Sequence, residues 1–531
     1  MFDIVGNQAQ RLGGKKSDEE GKQEEQSFHG ADYEVEIDKN SEYTIFFKNR
    51  IASLAPTLTL NPVTSMPLLP TPSLLHPAEL DPGFRPASIW TRVFHQKCDS
   101  EGGRTIRIAI LRPDGCGSIH HETILAGDDQ NSLDLNLRFI ERVVKFLLWS
   151  RGGTRIVLED SPALASEISK LYCPEGKRAF DVDYSKRFYG DTLTIESSSK
   201  ENFPTPKPDP EDGSEIGLKG NRIGFDLGGS DRKCAAVVDG EVIFSDEVPW
   251  DPYFESDPSY HREGIVDSIR RAAAHLPQVD AIGGSAAGVY VDSKVRAASL
   301  FRGVPDELFT DHVENIFFDV AKEWNVPIRV VNDGDVTALA GAMSLKDGCV
   351  LGLAMGTSAA AGYADDKSHI TSWLSELAFV PVDFQENAAR DEWSGDIGCA
   401  VNYFSQQAVS RLIEPSGLAI DPELGKPEKL VEVQKAMEAG DDRAAAIYRT
   451  IGSYLGYAIP QFARFYEIRH LLLLGRVLTG KGGEIIIKKA EEVLRDEFPE
   501  LAKTVSISTP DEKLKRHGQA IAAASLPKLS P

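Results

Sequence analysis

The stretch Arg222-Ile-Gly-Phe-Asp226-Leu-Gly228-Gly229-Ser230-Asp231-Arg232-Lys233-Cys-Ala-Ala-Val-Val-Asp239-Gly240-Glu-Val-Ile-Phe244 reads as strand, glycine turn, strand, Asp-Gly turn and strand. Gly228 and Gly229 lack Cβ atoms, so the turn can take positive φ and bring its amides close to an anion. Asp226 ends the first strand, where its carboxylate can hold a divalent cation directly or through water. Ser230 and Lys233 add a hydroxyl and a positive charge. Alone, the motif fits a plain hairpin equally well.

A second segment has the same order of parts. Cys349-Val-Leu-Gly-Leu-Ala-Met-Gly356-Thr357-Ser358-Ala-Ala-Ala-Gly-Tyr363 is an apolar run, a Gly-Thr-Ser turn and another run of small and apolar residues. Two such hairpins in one chain predict paired lobes, each offering backbone amides and hydroxyls to one end of a polyphosphate held between them.

Between the hairpins, the strand Pro327-Ile-Arg-Val-Val331 ends in Asn332-Asp333-Gly334-Asp335, followed by a helix of small residues. A carboxylate at the carboxyl end of a strand lies where ligands of open α/β sheets bind, so Asp333 can take the proton of an attacking hydroxyl. The other reading of the segment is an Asx turn, with Asp335 capping the helix.

Asp226-Leu-Gly-Gly-Ser, Asn332-Asp333, Gly356-Thr357-Ser358 and Leu474-Gly475 resemble, in order and rough spacing, the phosphate 1, catalytic, phosphate 2 and adenosine segments of the ROK sugar kinases. The resemblance covers about residues 222 to 531. It implies a two-lobed α/β fold of the actin-like ATPase and ribonuclease H-like kind, with lobe I over 222–342 and lobe II over 343–531, the last helix returning to lobe I. It implies ATP-dependent phosphorylation of a hydroxyl on a sugar or sugar-like molecule, with ATP and Mg²⁺ as cofactors and Asp333 as general base. Asp226 would hold Mg²⁺, while Gly228, Gly229, Ser230, Lys233, Gly356, Thr357, Ser358 and Gly475 would hold the nucleotide. Asn332, Glu376, Gly288 and Ser299 occupy the sugar-binding positions. Members of the family often form dimers, so a homodimer is expected by analogy.

The chain departs from the family's pattern at several of these positions. Ser299 stands where an asparagine usually touches sugar hydroxyls, Phe379 where a histidine ligates zinc, and Val401 where a second glutamate holds the sugar. Only Cys399 remains of a cysteine cluster, too few ligands for a tetrahedral site, so no structural zinc is expected. Trp393 to Asp396 could form a replacement pocket wall. These losses support a rival reading, a non-catalytic sensor or scaffold that keeps the fold. Asp226 and Asp333 speak against it, because a pure binder has less need of both. The DNA-binding repressor branch of the family ranks last, because the N-terminal region alternates strands and helices and the chain is acidic.

A formal charge of −23 disfavours nucleic acid as a partner, since duplex binding rests on clustered Lys and Arg. No apolar run approaches the ~20 residues of a membrane span. The start lacks a basic region followed by an apolar one, so the expected location is the cytoplasm. The six cysteines are scattered and read as reduced. At 531 residues, two to four domains are expected.

Residues 1–31 are rich in Lys, Glu, Gln, Ser and Gly and read as a disordered tail. Residues 32–87 read as a Pro-rich extended segment with two strands near 33–38 and 43–47. An α/β unit of unknown function follows over 88–198, with strands at Arg104–Arg112, Ser118–Leu125 and Thr154–Glu159 and a helix over Leu133–Ser150. Residues 199–221 read as an exposed Pro-rich linker. Further helices are expected over Tyr260–Leu276, Glu307–Trp324, Pro427–Ala439, Arg443–Glu467, Glu484–Glu497 and Gly518–Ala524, with a strand at His470–Leu474.

Overall fold

The computed structural model describes residues 69, 70, 72–209, 217–510 and 518–529. The expected tail and the two strands near 33–38 and 43–47 lie outside the described residues.

The N-terminal unit runs α1 (Ala87–Glu101), β1 (Gly103–Leu111), β2 (Gly117–Leu125), α2 (Gln130–Arg151), β3 (Arg155–Glu159), α3 (Pro162–Leu171), α4 (Ala179–Tyr189) and β4 (Thr194–Ser198). Its sheet has the order β2-β1-β3-β4, with β3 and β4 parallel. The Asp129 side chain caps α2 by accepting from the Ser132 amide. Gly152 and Gly153 stop α2 with positive φ, and a Cβ on Gly152 would meet the Tyr189 hydroxyl at 1.8 Å. From Phe139 to Arg151 every residue of α2 is buried, although Glu141, Arg142, Lys145 and Arg151 are charged. A helix buried all round is normally apolar, so these charges need partners inside the protein.

Lobe I follows with β5 (Asn221–Leu227), β6 (Asp231–Val238), β7 (Glu241–Pro249), α5 (Pro258–Ala273), β8 (Ala281–Ala286), β9 (Val289–Val291), β10 (Lys294–Ala297), α6 (Asp306–His312), α7 (Ile316–Trp324), β11 (Ile328–Asn332) and α8 (Asp333–Leu345). Its sheet is ordered β11-β8-β5-β6-β7, an antiparallel three-strand meander extended by two parallel strands. Lobe II contains β12 (Val350–Met355), β13 (Ala359–Ala364), α9 (Gln406–Ser416), α10 (Lys426–Glu438), α11 (Asp442–Phe462), β14 (His470–Leu474), α12 (Lys481–Glu497), α13 (Pro499–Ala502), β15 (Ser506–Ser508) and α14 (Gln519–Ser525). Its sheet, β13-β12-β14-β15, repeats the plan: a hairpin extended by two strands parallel to its first strand. The chain therefore has the two-lobed α/β architecture of the actin-like, ribonuclease H-like kind.

Some element boundaries differ from the sequence reading. The helix expected over Glu307–Trp324 is two helices, α6 and α7, separated at Val313–Asn315. Helix α11 ends at Phe462, and α12 starts at Lys481, so Gly482 and Gly483 lie inside its first turn. The stretch read as an exposed linker packs back on the N-terminal unit over its first half. Phe203 is buried beneath the Arg107 guanidinium, Lys207 exchanges backbone hydrogen bonds with Gly115 and Gly117, and Asp209 pairs with Arg112.

The N-terminal unit closes only a small core of its own, around Ala109, Leu111, Val157 and Phe203. One continuous apolar cluster joins Phe94, Phe139, Phe146 and Trp149 to Leu353, Tyr403, Tyr454 and Phe462 of lobe II, whereas lobe I has a separate core around Phe225, Ile265 and Phe317. Residues 72–86 add to the joint. Phe84 packs edge-on to Tyr454 at 4.7 Å, and Asp81 pairs with Arg411.

The alanine-rich α14 lies across β5 and β8, where Gly224 and Gly283 pair side by side. A Cβ on Gly283 would stand 1.7 Å from the Ala523 carbonyl oxygen, and one on Gly224 1.7 Å from that of Ala520. Gly283→Ala should therefore destabilise the protein by about 3 kcal/mol through overpacking, read as a lower urea midpoint. An unchanged midpoint would show that α14 is not held against the sheet.

Candidate functional site

The two hairpin turns are built alike. The Gly228 amide donates to the Asp231 carbonyl at 2.9 Å, and the Gly356 amide to the Ser358 carbonyl at 3.0 Å. Ser230 and Ser358 at the turn tips are exposed. The expected positive φ at Gly228 and Gly229 is not observed. Gly229 is required for a different reason: a Cβ there would meet the Tyr253 hydroxyl at 1.8 Å. Gly475 does take positive φ, +105°, and a Cβ on it would collide with the Met355 backbone at 2.5 Å. This close approach puts the end of β14 against the end of β12, beside the second turn.

Asp226 closes β5, is buried, and accepts a hydrogen bond of 2.6 Å from the Ser285 hydroxyl on the neighbouring β8. Lys233, opposite it on β6, pairs with Asp231 at 3.3 Å. Burial works against the Lys233 charge, but Asp226 and Asp231 outweigh it and keep the ammonium protonated. Ser285 was legible only as a polar residue in a glycine-rich strand, and its partner could not be read from the sequence.

Asn332, at the end of β11, caps α8. Its carboxamide oxygen accepts from the Gly334 amide at 2.7 Å, and its NH₂ donates to the Gly288 carbonyl at 2.7 Å. The expectation that Asp335 is the cap is thus corrected. Asp335 instead accepts from the Tyr363 amide on β13, because α8 lies so close to that strand that a Cβ on Gly334 would sit 2.4 Å from the Ala361 carbonyl oxygen. Asp333, the first residue of α8, accepts only from the Gly334 amide of its own turn among the hydrogen bonds seen here.

Four carboxyls therefore converge: Asp226, Asp333, Asp335 and Glu376. Asp333 and Glu376 keep some solvent contact, yet desolvation dominates at each of the four. Burial, with the neighbouring Asp333 charge, pushes Asp226 up to about 6 and Glu376 up to about 7. Burial also raises Asp333, and raises Asp335 well above the usual range. Lobe II holds Glu376 in a short turn whose amides are anchored on the N-terminal unit. The Ser375 amide donates to the Ser150 carbonyl at 3.0 Å and the Glu376 amide to the Trp149 carbonyl at 2.9 Å, both at the end of α2. Phe379, three residues on, packs against Trp149 and Phe180.

The segment from Trp393 to Asp396 is not a pocket wall. Trp393 is exposed, and Asp396 is buried among Arg142, Lys145 and Arg178 at 2.9, 3.0 and 2.5 Å. Glu141 and Asp181 complete the group, pairing with Arg178 at 2.5 Å and with Lys145 at 3.2 Å. Burial would raise Asp396, but the Arg142 and Lys145 charges outweigh it and hold it at about 2. The loop around Cys399 is thereby fixed by cations from the N-terminal unit.

Gly288, Asn332 and Glu376 share one wall of a cavity of about 970 Å³, whereas Ser299 sits outside it, in a short turn over Ser299–Phe301.

No family model matches the chain, and no curated protein does. Among solved structures, the chain is similar to a ROK hexokinase from Thermus thermophilus, at 17% identity over 58% of this chain and 97% of that one, with a TM-score of 0.46. It is similar to a ROK family glucokinase from Streptomyces griseus in complex with glucose and AMPPNP, at 19% identity over 58% and 99% of the two chains, TM-score 0.41. A ROK family transcriptional regulator, a homolog of the E. coli MLC protein, is similar at 18% identity over 58% and 78%, TM-score 0.46.

Two consequences follow from the charges. Carboxyls with raised pKa bind protons more tightly in the folded chain, so stability falls as pH rises through the window from their ordinary values to about 7. Glu376→Gln removes one such group. Its advantage over the parent in urea unfolding should grow by about 3 kcal/mol between pH 4.5 and 8, and a pH-independent difference would contradict the raised carboxyl. Lys145→Met should cost about 3–5 kcal/mol, because it leaves Asp181 and Asp396 buried with one partner fewer. A loss below about 1 kcal/mol would mean that Arg142 and Arg178 suffice.

Proposed function

We propose that the protein transfers the γ-phosphoryl group of ATP to a hydroxyl of a sugar or sugar-like small molecule. The observation that carries this reading is Asp333: a carboxyl at the end of a parallel strand, raised by burial, beside Glu376 and between two lobes that end in matching glycine turns. In this reading, the Gly228–Ser230 and Gly356–Ser358 turns and Gly475 hold the nucleotide, with Lys233 supplying positive charge near Asp226.

Mg²⁺ fits the donor set. Asp226 is a buried oxygen donor at the end of β5 beside the first glycine turn, the kind of group a hard divalent cation takes directly or through water. When bound, Mg²⁺ would offset the negative charge that builds up on the transferring phosphoryl group. Glu376, Gly288 and Asn332 would orient the acceptor, and Asn332 would act chiefly by fixing the Gly288 loop, since its carboxamide is already engaged on both sides.

The acceptor oxygen attacks the γ-phosphorus, the bond from that phosphorus to the β–γ bridging oxygen breaks, and ADP leaves with the electron pair. The acceptor's proton passes to the Asp333 carboxylate. Burial makes Asp333 a better base than an exposed carboxylate, because its charged form is poorly solvated.

The engaged Asn332 carboxamide and the displaced Ser299 favour a second reading, a sensor that binds sugar or nucleotide without turnover. The Asp333→Asn variant separates the two. In the kinase reading, ADP release from Mg-ATP with an accepted sugar falls by roughly 10²–10⁴-fold, while nucleotide affinity by calorimetry stays within about twofold. Turnover that survives in the variant rejects Asp333 as base. Tight sugar binding without ADP release in the parent establishes the sensor.

A further inference from the structure

The N-terminal unit, lobe I and lobe II meet around the cavity of about 970 Å³. Gly288, Asn332 and Glu376, which in the kinase reading orient the acceptor, are among its lining residues. Its outer wall has no place in phosphoryl transfer: Arg112, Phe188 and Tyr189 come from the N-terminal unit, Ser293 from the β9–β10 turn, and Thr371 and Ser372 from lobe II.

Volumes of roughly 300–1,000 Å³ hold drug-sized ligands, so a single hexose would leave most of this space to water. The outer wall is also held in place. Arg112 is locked by Asp209, Arg296 pairs with Glu314 at 3.0 Å, and the Ser293 hydroxyl accepts from the Val330 amide at 3.1 Å.

The chemistry of the wall narrows the ligand. Eight acidic side chains line the cavity against five of Lys and Arg, and even with the raised Asp335 and Glu376 set aside the cations are outnumbered, so the wall offers no net positive charge to a phosphorylated or otherwise anionic extension. Two buried polar atoms on the wall, Thr371 Oγ1 and Arg296 Nε, have no hydrogen-bond partner in the protein. Buried polar atoms are normally paired, and a ligand rich in hydroxyls supplies both donors and acceptors.

Building on the kinase reading, we infer that the acceptor is an uncharged disaccharide or longer glycoside. Its reacting ring lies against Gly288 and Glu376, and its next sugar unit fills the chamber between Tyr189 and Thr371. The N-terminal unit thus sets acceptor length.

The test uses the full-length protein with Mg-ATP, comparing glucose, galactose and N-acetylglucosamine with maltose, cellobiose, trehalose, lactose and chitobiose. At least one disaccharide should exceed its own monosaccharide at least tenfold in kcat/KM. Ser372 lines the chamber and is exposed, so Ser372→Trp narrows the chamber from its solvent side. It should remove the disaccharide's advantage while changing the monosaccharide less than twofold. Thr371→Val, almost the same in shape, should raise the disaccharide KM severalfold. Monosaccharides used as well as disaccharides, or a Ser372→Trp effect equal on both, would overturn the inference and leave the kinase standing. If no compound is phosphorylated, calorimetry with the same disaccharides decides: binding weakened by Ser372→Trp keeps the chamber while the kinase reading fails, and no binding of any disaccharide rejects the chamber.

Discussion

Asp396 holds three cations in a space almost without water, and much of the molecule is arranged around that fact. Arg142 and Lys145 lie on a helix buried on every side, and Arg178 begins the helix that carries Asp181. Each charge would be costly to bury alone. Three cations closed on Asp396, Glu141 and Asp181 balance in charge and satisfy one another, although such a group stabilises little beyond what an apolar core would. What it fixes is position. The last turn of α2 is held against lobe II, and its free carbonyls are left pointing at the Ser375–Glu376 amides. Charges from the N-terminal unit also hold the loop around Cys399.

The same economy explains why the N-terminal unit shares its main core. Its sheet and helices carry apolar faces that only lobe II completes, through one cluster running from Phe94 to Phe462. Lobe I stays separate in its core and meets the others mainly at its strand ends and through α8 and α14, where small residues allow backbones to touch. The candidate site lies at this junction, and it opposes folding: four carboxyls gather where desolvation raises each, and charge repulsion adds to it at Asp226, Asp335 and Glu376. Arrangements that cost stability in this way gather at functional sites.

Much of this was legible in the sequence because it rests on local rules. A strand ending in Asp226-Leu-Gly-Gly-Ser must turn, and so must one ending in Met355-Gly-Thr-Ser, whatever surrounds them. The helices over 133–150 and 260–276 followed from apolar spacing, and Asp333 stood out as a carboxyl at a strand end. The errors have local causes too. Both Asn332 and Asp335 can cap a helix, and only the approach of β13 gave Asp335 another partner. The break between α6 and α7 leaves the apolar spacing nearly continuous, so periodicity could not reveal it.

The sequence by itself determined the two repeated hairpins, the order of the glycine-turn and acidic segments, and the net negative charge, because turn chemistry, side-chain period and net charge need no knowledge of what lies nearby. The tertiary structure alone decided that residues 87–198 share a core with lobe II, that Asp396 is surrounded by cations some 220 to 250 residues earlier in the chain, and that Glu376 hangs from the end of α2. Those pairings join residues far apart in sequence, and a buried charge looks the same as an exposed one until the chain has folded around it.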